Sequence, residues 1–200
     1  GPAACPGVFT QQIIEDMAKI NSQPIIFALS NPTSQAECTA EEAYTFSDGR
    51  AIFASGSPFP SHEMNGKRFE PGQGNNAYIF PGVALGTICC GVHHIDDDVF
   101  LAAAEALSNL VTEDDLEVGR MYPPLSTIRD CSVKIAVGIA ETAYADKLAS
   151  VYPEPEDKDE FIRKHLYNYD YDGVSALPAI YKYPMKAQSS VHTTQETKLM

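Results

Sequence analysis

The chain predicts an α/β fold built on a parallel sheet, and three observations carry that prediction. Two short, continuous apolar runs occur, Ile25-Ile26-Phe27-Ala28-Leu29 and Ala51-Ile52-Phe53-Ala54. Each ends in a polar loop, Ser30-Asn31-Pro32-Thr33 after the first and Ser55-Gly56-Ser57-Pro58 after the second. A helix start, Thr39-Ala40-Glu41-Glu42, lies between them, so the pattern fits in about thirty-five positions, the size of one βαβ unit. Short apolar runs with β-branched residues, bounded by turn residues, fit strands buried on both faces.

The elements follow in order. Gly1 to Gly7 reads as a loop without a Met start or the charged segment of a secretory signal, and the chain is expected to begin inside a domain. Ile13, Ile14, Met17, Ala18 and Ile20 recur at helical spacing, so Phe9 to Ile20 reads as a helix with Thr10 as its N-cap. Asn21-Ser22-Gln23-Pro24 ends it before the first strand. Thr39 with Glu42 three positions on has the form of a capping box, and Asp48-Gly49 closes the helix that follows. Pro60 to Glu70 is polar, with Asn65-Gly66 as a hairpin turn. Ala77 to Val92 reads as a buried helix. Asp96 to Val111 is amphipathic, with Val99, Phe100, Ala103, Leu107 and Leu110 on one side.

Asp96, Asp97 and Asp98 suit the positive end of that helix's dipole, a reading that competes with a metal site. Thr112-Glu113-Asp114-Asp115 starts a further short helix by the same logic. Tyr122-Pro123-Pro124-Leu125 is extended, and Ser126 then caps a long helix through Tyr144. Val151 to Lys158 is a stiff Pro-rich linker, followed by a short helix from about Asp159 to Tyr167. Tyr167, Tyr169, Tyr171, Tyr181 and Tyr183 stand among prolines and acids, as in an arm packed on another surface. From Lys186 onward the composition is that of a disordered tail.

Composition narrows the function classes. A hydrophobic content of 44% over 200 residues is enough for a sizeable core. With 27 Asp+Glu against 14 Lys+Arg, a net charge of −13, no basic face for nucleic acid can be assembled. No apolar run reaches the ~18 residues of a membrane span. The five cysteines have no CxxC spacing, which argues against zinc and for a reducing, intracellular compartment. Cys89 and Cys90 lie in an apolar segment, where a free thiol acts as a small hydrophobe.

One stretch stands out as a ligand rim, Pro71-Gly72-Gln73-Gly74-Asn75-Asn76-Ala77-Tyr78. Its glycines free the backbone, and its two adjacent carboxamides offer donors and acceptors without charge. A surface turn with capping asparagines accounts for the same residues. Asn31 at the end of the first strand is a third carboxamide in the place where open α/β sheets bind ligands. Nucleophilic chemistry has little support: Ser55 and Ser57 flank Gly56 without a G-x-S-x-G elbow, and no histidine is placed as their base. The His93-His94 pair reads as a helix-end dipole contact, against a metal or acid–base role. Carboxamides orient ligands but transfer protons poorly, so catalytic acids, bases and metal ligands are expected elsewhere.

Six segments, in order, resemble the malic enzymes of the animal-type branch. They are Ile25 to Thr33, Phe53 to Phe59, Pro71 to Asn76, Phe80 to Leu85, Gly119-Arg120-Met121-Tyr122-Pro123-Pro124 and Tyr152-Pro153-Glu154-Pro155. The resemblance runs collinearly from about Phe9 to Pro184. It implies the C-terminal part of an NAD- or NADP-dependent enzyme that oxidatively decarboxylates malate to pyruvate with Mg²⁺ or Mn²⁺. It further implies that Asn31 reaches the nicotinamide ribose and the substrate, that Leu29 and Ser30 contact the cofactor through their backbone, and that Asn75 and Asn76 face malate. The family's catalytic lysine and tyrosine, its acidic metal ligands and its Gly-rich dinucleotide turn all precede the segments matched here, so no catalytic or metal-ligating residue is assigned.

The implied layout is an incomplete Rossmann-like domain over residues 1–147, with strand–loop units to 74 and a helical return from 75. An interface arm at 148–185 and a tail at 186–200 complete it. The family is usually tetrameric, and its members are mitochondrial or cytoplasmic. The competing expectation is a non-catalytic cofactor-binding or regulatory module.

Overall fold

Thr10 is extended and stands at the N-cap of the first helix, α1 (Gln11–Ile20), although its side chain makes no capping bond. The computed structural model describes residues 5–167. Ile14 and Ala18 are the buried face of α1, whereas Ile13 and Ile20, expected on that face, are exposed on its flanks. Strand β1 (Ile25–Ala28) pairs in parallel with β2 (Ile52–Ser55), Ile26 opposite Phe53. Helix α2 (Ala40–Phe46) connects them and carries the expected capping box, Thr39 accepting from the Glu42 amide and Glu42 from the Thr39 amide. Asp48 and Gly49, both at positive φ, turn the chain out of α2. Asn65 and Gly66, also at positive φ, join the antiparallel strands β3 (His62–Met64) and β4 (Lys67–Phe69), as a two-residue hairpin turn requires.

A third parallel strand, β5 (Gly72–Gln73), lies beside β2, in the stretch read from sequence as a loop. Two residues have no periodicity to detect, and only pairing with Ala54 and Ser55 makes them a strand. The parallel sheet therefore has the order β1-β2-β5. Its core gathers Ile14, Ile26, Ala28, Ala43, Tyr44 and Phe53. The nominally polar hairpin contributes to it: Phe69 is buried and stacks on Tyr44 at 4.4 Å. Burial of β1 on both faces does not hold among the described residues. Ile26 and Ala28 face the helices, but Ile25 is exposed and Phe27 is half-buried beside Tyr122, where it lines a cavity.

The second half of the described chain forms a helical core of its own. A 3-10 turn at Asn76–Tyr78 leads into α3 (Phe80–Cys90). Helix α4 (Asp97–Ser108) follows, with Asp96 accepting from the Val99 amide. The short α5 (Glu113–Glu117) carries a capping box between Thr112 and Asp115. Ser126 does not cap the long helix: it sits inside a 3-10 turn, Leu125–Thr127, that leads into α6 (Ile128–Ala145). Val99, Ala103 and Leu107 of α4 meet Ile135 and Ile139 of α6. Phe100, expected on the buried side of α4, is exposed, one position round from Val99.

Helix α3 packs on α6 through Gly82 and Gly86. A Cβ at Gly82 would come within 2.7 Å of Ile135, and one at Gly86 within 2.9 Å of the Ala136 carbonyl. The opposite side of α3 remains apolar and exposed at Phe80 and Ile88. The chain then folds back on this pair. Ser150 and Val151 amides donate to the Cys90 carbonyl, and Ile162 of α7 (Lys158–Lys164) is buried against Cys89, Val133 and Ala136. Burial pushes the Cys90 thiol up to about 11, in keeping with an inert packing role. Among the described residues no helix is long and apolar enough to cross a membrane. The expected arm beyond Tyr167, with Tyr169, Tyr171, Tyr181 and Tyr183, and the expected tail lie outside the described residues.

Arg120 holds the loop after α5. Its guanidinium donates to Asp115 Oδ1 at 2.8 Å and lies 3.9 Å from Glu70. Burial raises the Asp115 pKa, but bonds from Thr112 and Arg120 outweigh it and leave the carboxyl below its ordinary value. A carboxyl lowered in the folded state stabilises the fold above its unfolded pKa, and that stability is lost as pH falls through the folded value.

Two outcomes follow from this packing. Gly82→Ala gains about 1 kcal/mol of helix propensity. Separating α3 from α6 outweighs that gain, since overpacking costs roughly 1–3 kcal/mol. Thermal unfolding should therefore shift to lower temperature, and an unchanged or higher midpoint would remove the close-packing argument. Asp115→Asn should flatten the acid limb of a stability–pH curve below the usual carboxylate range. A curve superimposable on the parent in that limb would show that Asp115 contributes nothing there.

Candidate functional site

Because β1, β2 and β5 run parallel, the loops after them share one edge of the sheet: Leu29–Asn31, Gly56–Ser57 and Gly74–Asn76. Gly56 joins all three. Its amide donates to the Ala28 carbonyl at 3.0 Å. Its carbonyl accepts from Gln73 Nε2 at 3.3 Å and from Asn75 Nδ2 at 3.4 Å. Beside it, the Gly74 amide donates to the Ser55 carbonyl at 2.7 Å. A Cβ on Gly56 would lie 2.3 Å from the Leu29 carbonyl oxygen and 3.0 Å from Asn31 Nδ2. Backbone cannot yield as a flexible side chain can, so only glycine permits this approach.

The sequence-derived residues sit differently around this point. Asn31 is exposed, and its Oδ1 accepts from the Ser57 hydroxyl at 2.5 Å. Ser30 is buried, with its amide and hydroxyl donating to Glu37, so it lies behind the strand end. The Leu29 side chain packs towards Gly74. Asn75 is half-buried, and its Oδ1 accepts from the Ala77 amide at 2.9 Å. It thus caps the 3-10 turn, as the turn reading of this stretch expects, while its amide nitrogen reaches Gly56. Asn76 is exposed, and its side chain bonds to no described residue. The backbone bonds of Gly56 bring Asn31 and Asn75 to one neighbourhood from opposite sides.

A cavity of about 430 Å³ opens on the Asn75 side, lined by Leu29, Gly74, Asn75, Asn76 and Tyr122 among others. Asn31 and Ser30 do not line it. A larger cavity, about 630 Å³, lies around Arg50, Ala51 and Lys67 and contains none of the candidate residues. Arg50 and Ala51 precede β2, so that cavity is at the amino ends of the strands. Ligands of open α/β sheets bind at the carboxyl ends, which favours the smaller one.

The donor set suits a dinucleotide edge: exposed neutral amides at strand ends that a glycine allows to pack closely together. It does not suit a metal. Among the described residues no group of three His, Cys, Asp or Glu is placed to hold one. His93 and His94 are exposed beyond the α3 C-cap, and Asp96 is occupied as an N-cap.

Sequence reasoning missed Glu37, Gly56 and Ser57 as parts of the site. Glu37 is fully buried, and its carboxylate holds Ser30 at 2.5 Å through the hydroxyl and 3.2 Å through the amide. A carboxylate is almost never fully buried without partners, but nothing local in Ala36-Glu37-Cys38 signals its depth. Gly56 and Ser57 read in the sequence as part of the polar strand-end loop, of a segment resembling the malic enzymes and of a failed nucleophile motif, with no site role for either. Tyr122, 5.6 Å from Tyr78 and 6.4 Å from Phe27 between ring centroids, forms the wall between sheet and helices.

Comparison with known proteins bears directly on this geometry. The family model "Malic enzyme, NAD binding domain" matches residues 1–144. The NADP-dependent malic enzyme of Rattus norvegicus is 57% identical over 189 residues, covering 94% of this chain and 33% of that protein. The mitochondrial NAD-dependent malic enzyme of Ascaris suum is 54% identical over 184 residues, covering 92% of this chain and 28% of that protein. The crystal structure of malic enzyme from Pyrococcus horikoshii Ot3 superposes with a TM-score of 0.59 at 27% identity, over 80% of this chain and 32% of that one. The chain thus spans about a third of the length of these relatives. With a parallel sheet whose strand-end loops converge on Gly56, and with a match to their NAD-binding domain over most of its length, the chain belongs to the malic enzymes.

Proposed function

We propose that this chain is the C-terminal portion of an enzyme that oxidises (S)-malate with NAD or NADP and decarboxylates the product to pyruvate and carbon dioxide. The observation that carries the reading is the convergence of Asn31 and Asn75 on Gly56 at the carboxyl ends of three parallel strands. The bound nicotinamide supplies the hydride acceptor. The chain's own residues bind and orient. Asn31 and Asn76 present amides on the open side, and neutral N–H groups satisfy carboxylate or hydroxyl oxygens without changing the charge of the site. Asn75 holds the rim in shape while facing the cavity that Leu29 and Tyr122 close.

Carboxamides do not exchange protons near neutral pH, so proton transfer and the Mg²⁺ or Mn²⁺ ligands belong to the upstream part of the enzyme. The compartment is the cytoplasm or the mitochondrion, and the mitochondrial NAD-dependent relative of Ascaris suum supports the second. The working form is a homo-oligomer, a tetramer, and the exposed apolar side of α3 at Phe80 and Ile88 supports burial against a further surface.

In the full-length enzyme, Asn75→Ala and Asn76→Ala should each raise the Michaelis constant for malate or lower turnover, by the roughly 1–3 kcal/mol of lost polar contacts. They should differ in stability. Asn75→Ala removes the cap of the 3-10 turn and lowers the unfolding temperature, whereas Asn76→Ala leaves it unchanged. Unaltered kinetics in both variants would reduce the stretch to a turn. The 200 residues alone should produce no NAD(P)H from malate, even with Mn²⁺. Turnover by the purified chain would refute the assignment of catalysis to the upstream part.

A further inference from the structure

Ser57 is nearly buried, and its hydroxyl has one partner of note, the side-chain oxygen of Asn31. Ser57 is itself held from behind. The fully buried Ser55 donates its hydroxyl to the Ser57 carbonyl at 2.5 Å, and Ser55 lies in β2. A rigid strand end thus presents one O–H to Asn31, beside the point where the Leu29 backbone packs against Gly56. Asn31 is exposed, and among the described residues its Nδ2 donates to no acceptor. A primary amide has one acceptor end and one donor end. When the acceptor end is engaged by the protein, the donor end is what remains for a ligand. Without Ser57 the amide can turn over, and either end can face outward.

We propose that Ser57 is a positioning residue for Asn31: its hydroxyl fixes the carboxamide so that the N–H pair faces the ligand. The group recognised there is an acceptor, a carboxylate or hydroxyl oxygen of a hydroxy acid. This rests on the malate reading given above. It assigns to Ser57 no contact with substrate and no proton transfer. It also distinguishes Asn31 from Asn75, whose acceptor end is used in capping and whose donor end reaches Gly56.

The test is a double-mutant cycle in the full-length enzyme. Ser57→Ala should raise the malate Michaelis constant about tenfold, the worth of one oriented hydrogen bond. In an Asn31→Ala background the same substitution should change it less than twofold, because Ser57 acts only through Asn31. Asn31→Asp, which can still accept from Ser57 but offers no donor, should impair malate binding at least as much as Asn31→Ala. The inference is overturned by any of three results: an unchanged Michaelis constant in Ser57→Ala, an equal loss in both backgrounds, or an Asn31→Asp enzyme less impaired in malate binding than Asn31→Ala. If Ser57→Ala does not fold, Ser57→Cys keeps the volume, loses the strong donor and carries the same expectation. A parent enzyme inactive on malate would instead defeat the malate reading. The positioning role is then decided by a crystal structure of Ser57→Ala, where a turned or displaced Asn31 side chain supports it and an unmoved one overturns it.

Discussion

The approach of Gly56 to the Leu29 backbone is the constraint on which the site depends. A carbonyl oxygen 2.3 Å from where a Cβ would stand leaves no room for any other residue. That contact brings the loops after β1 and β2 together, and the Gly56 carbonyl then ties in the loop after β5. Parallel strands alone put their ends on the same edge, but they do not bring the loops into register. Hydrogen bonds around one glycine do that here, and they leave the exposed amide of Asn31 where a ligand can meet it.

The same economy of side chains holds the helical half. Gly82 and Gly86 let α3 lie on α6 with backbone close to side chain, so the two helices share a thin, well-packed seam. Tyr78, whose hydroxyl donates to the Pro123 carbonyl, and Tyr122, whose ring lies tilted beside Phe27, carry that packing to the sheet. A cavity edged by Asn75 and Tyr122 is the result. Its polar side comes from the strand-end loop and its apolar side from residues of the sheet and of α4. Binding sites of this kind combine apolar walls with a few placed polar groups. In a chain of net charge −13, neutral amides also add no further negative charge to this rim.

Much of this was legible in the residues. Capping boxes are local, so Thr39 with Glu42 marked the start of α2 without any tertiary information. Asn65-Gly66 likewise marked the hairpin, because few residues accept positive φ at both positions. The helix faces were legible only in part. Periodicity placed Val99, Ala103 and Leu107 correctly on α4, but it included Phe100, which is exposed. An apolar residue at the margin of a stripe is buried or not according to what packs beside it. Strand β5 and buried Glu37 had no local signature at all, since one exists by pairing and the other by the fold closing over it.

By itself, the sequence determined the order of β1, β2, the hairpin and the helices, the likeness to malic enzymes and the carboxamides worth watching. These follow from short-range chemistry: turn residues, caps and apolar runs act within a few positions. The tertiary structure alone decided what each carboxamide can do. Asn31 is held by Ser57 from twenty-six positions away, and Asn75 reaches Gly56 across nineteen. Such pairs meet only because parallel β1, β2 and β5 bring distant loops to one edge. The stretch from Gly72 to Tyr78 is therefore at once a strand, a capped turn and the rim of a cavity, and no local pattern could have separated those roles.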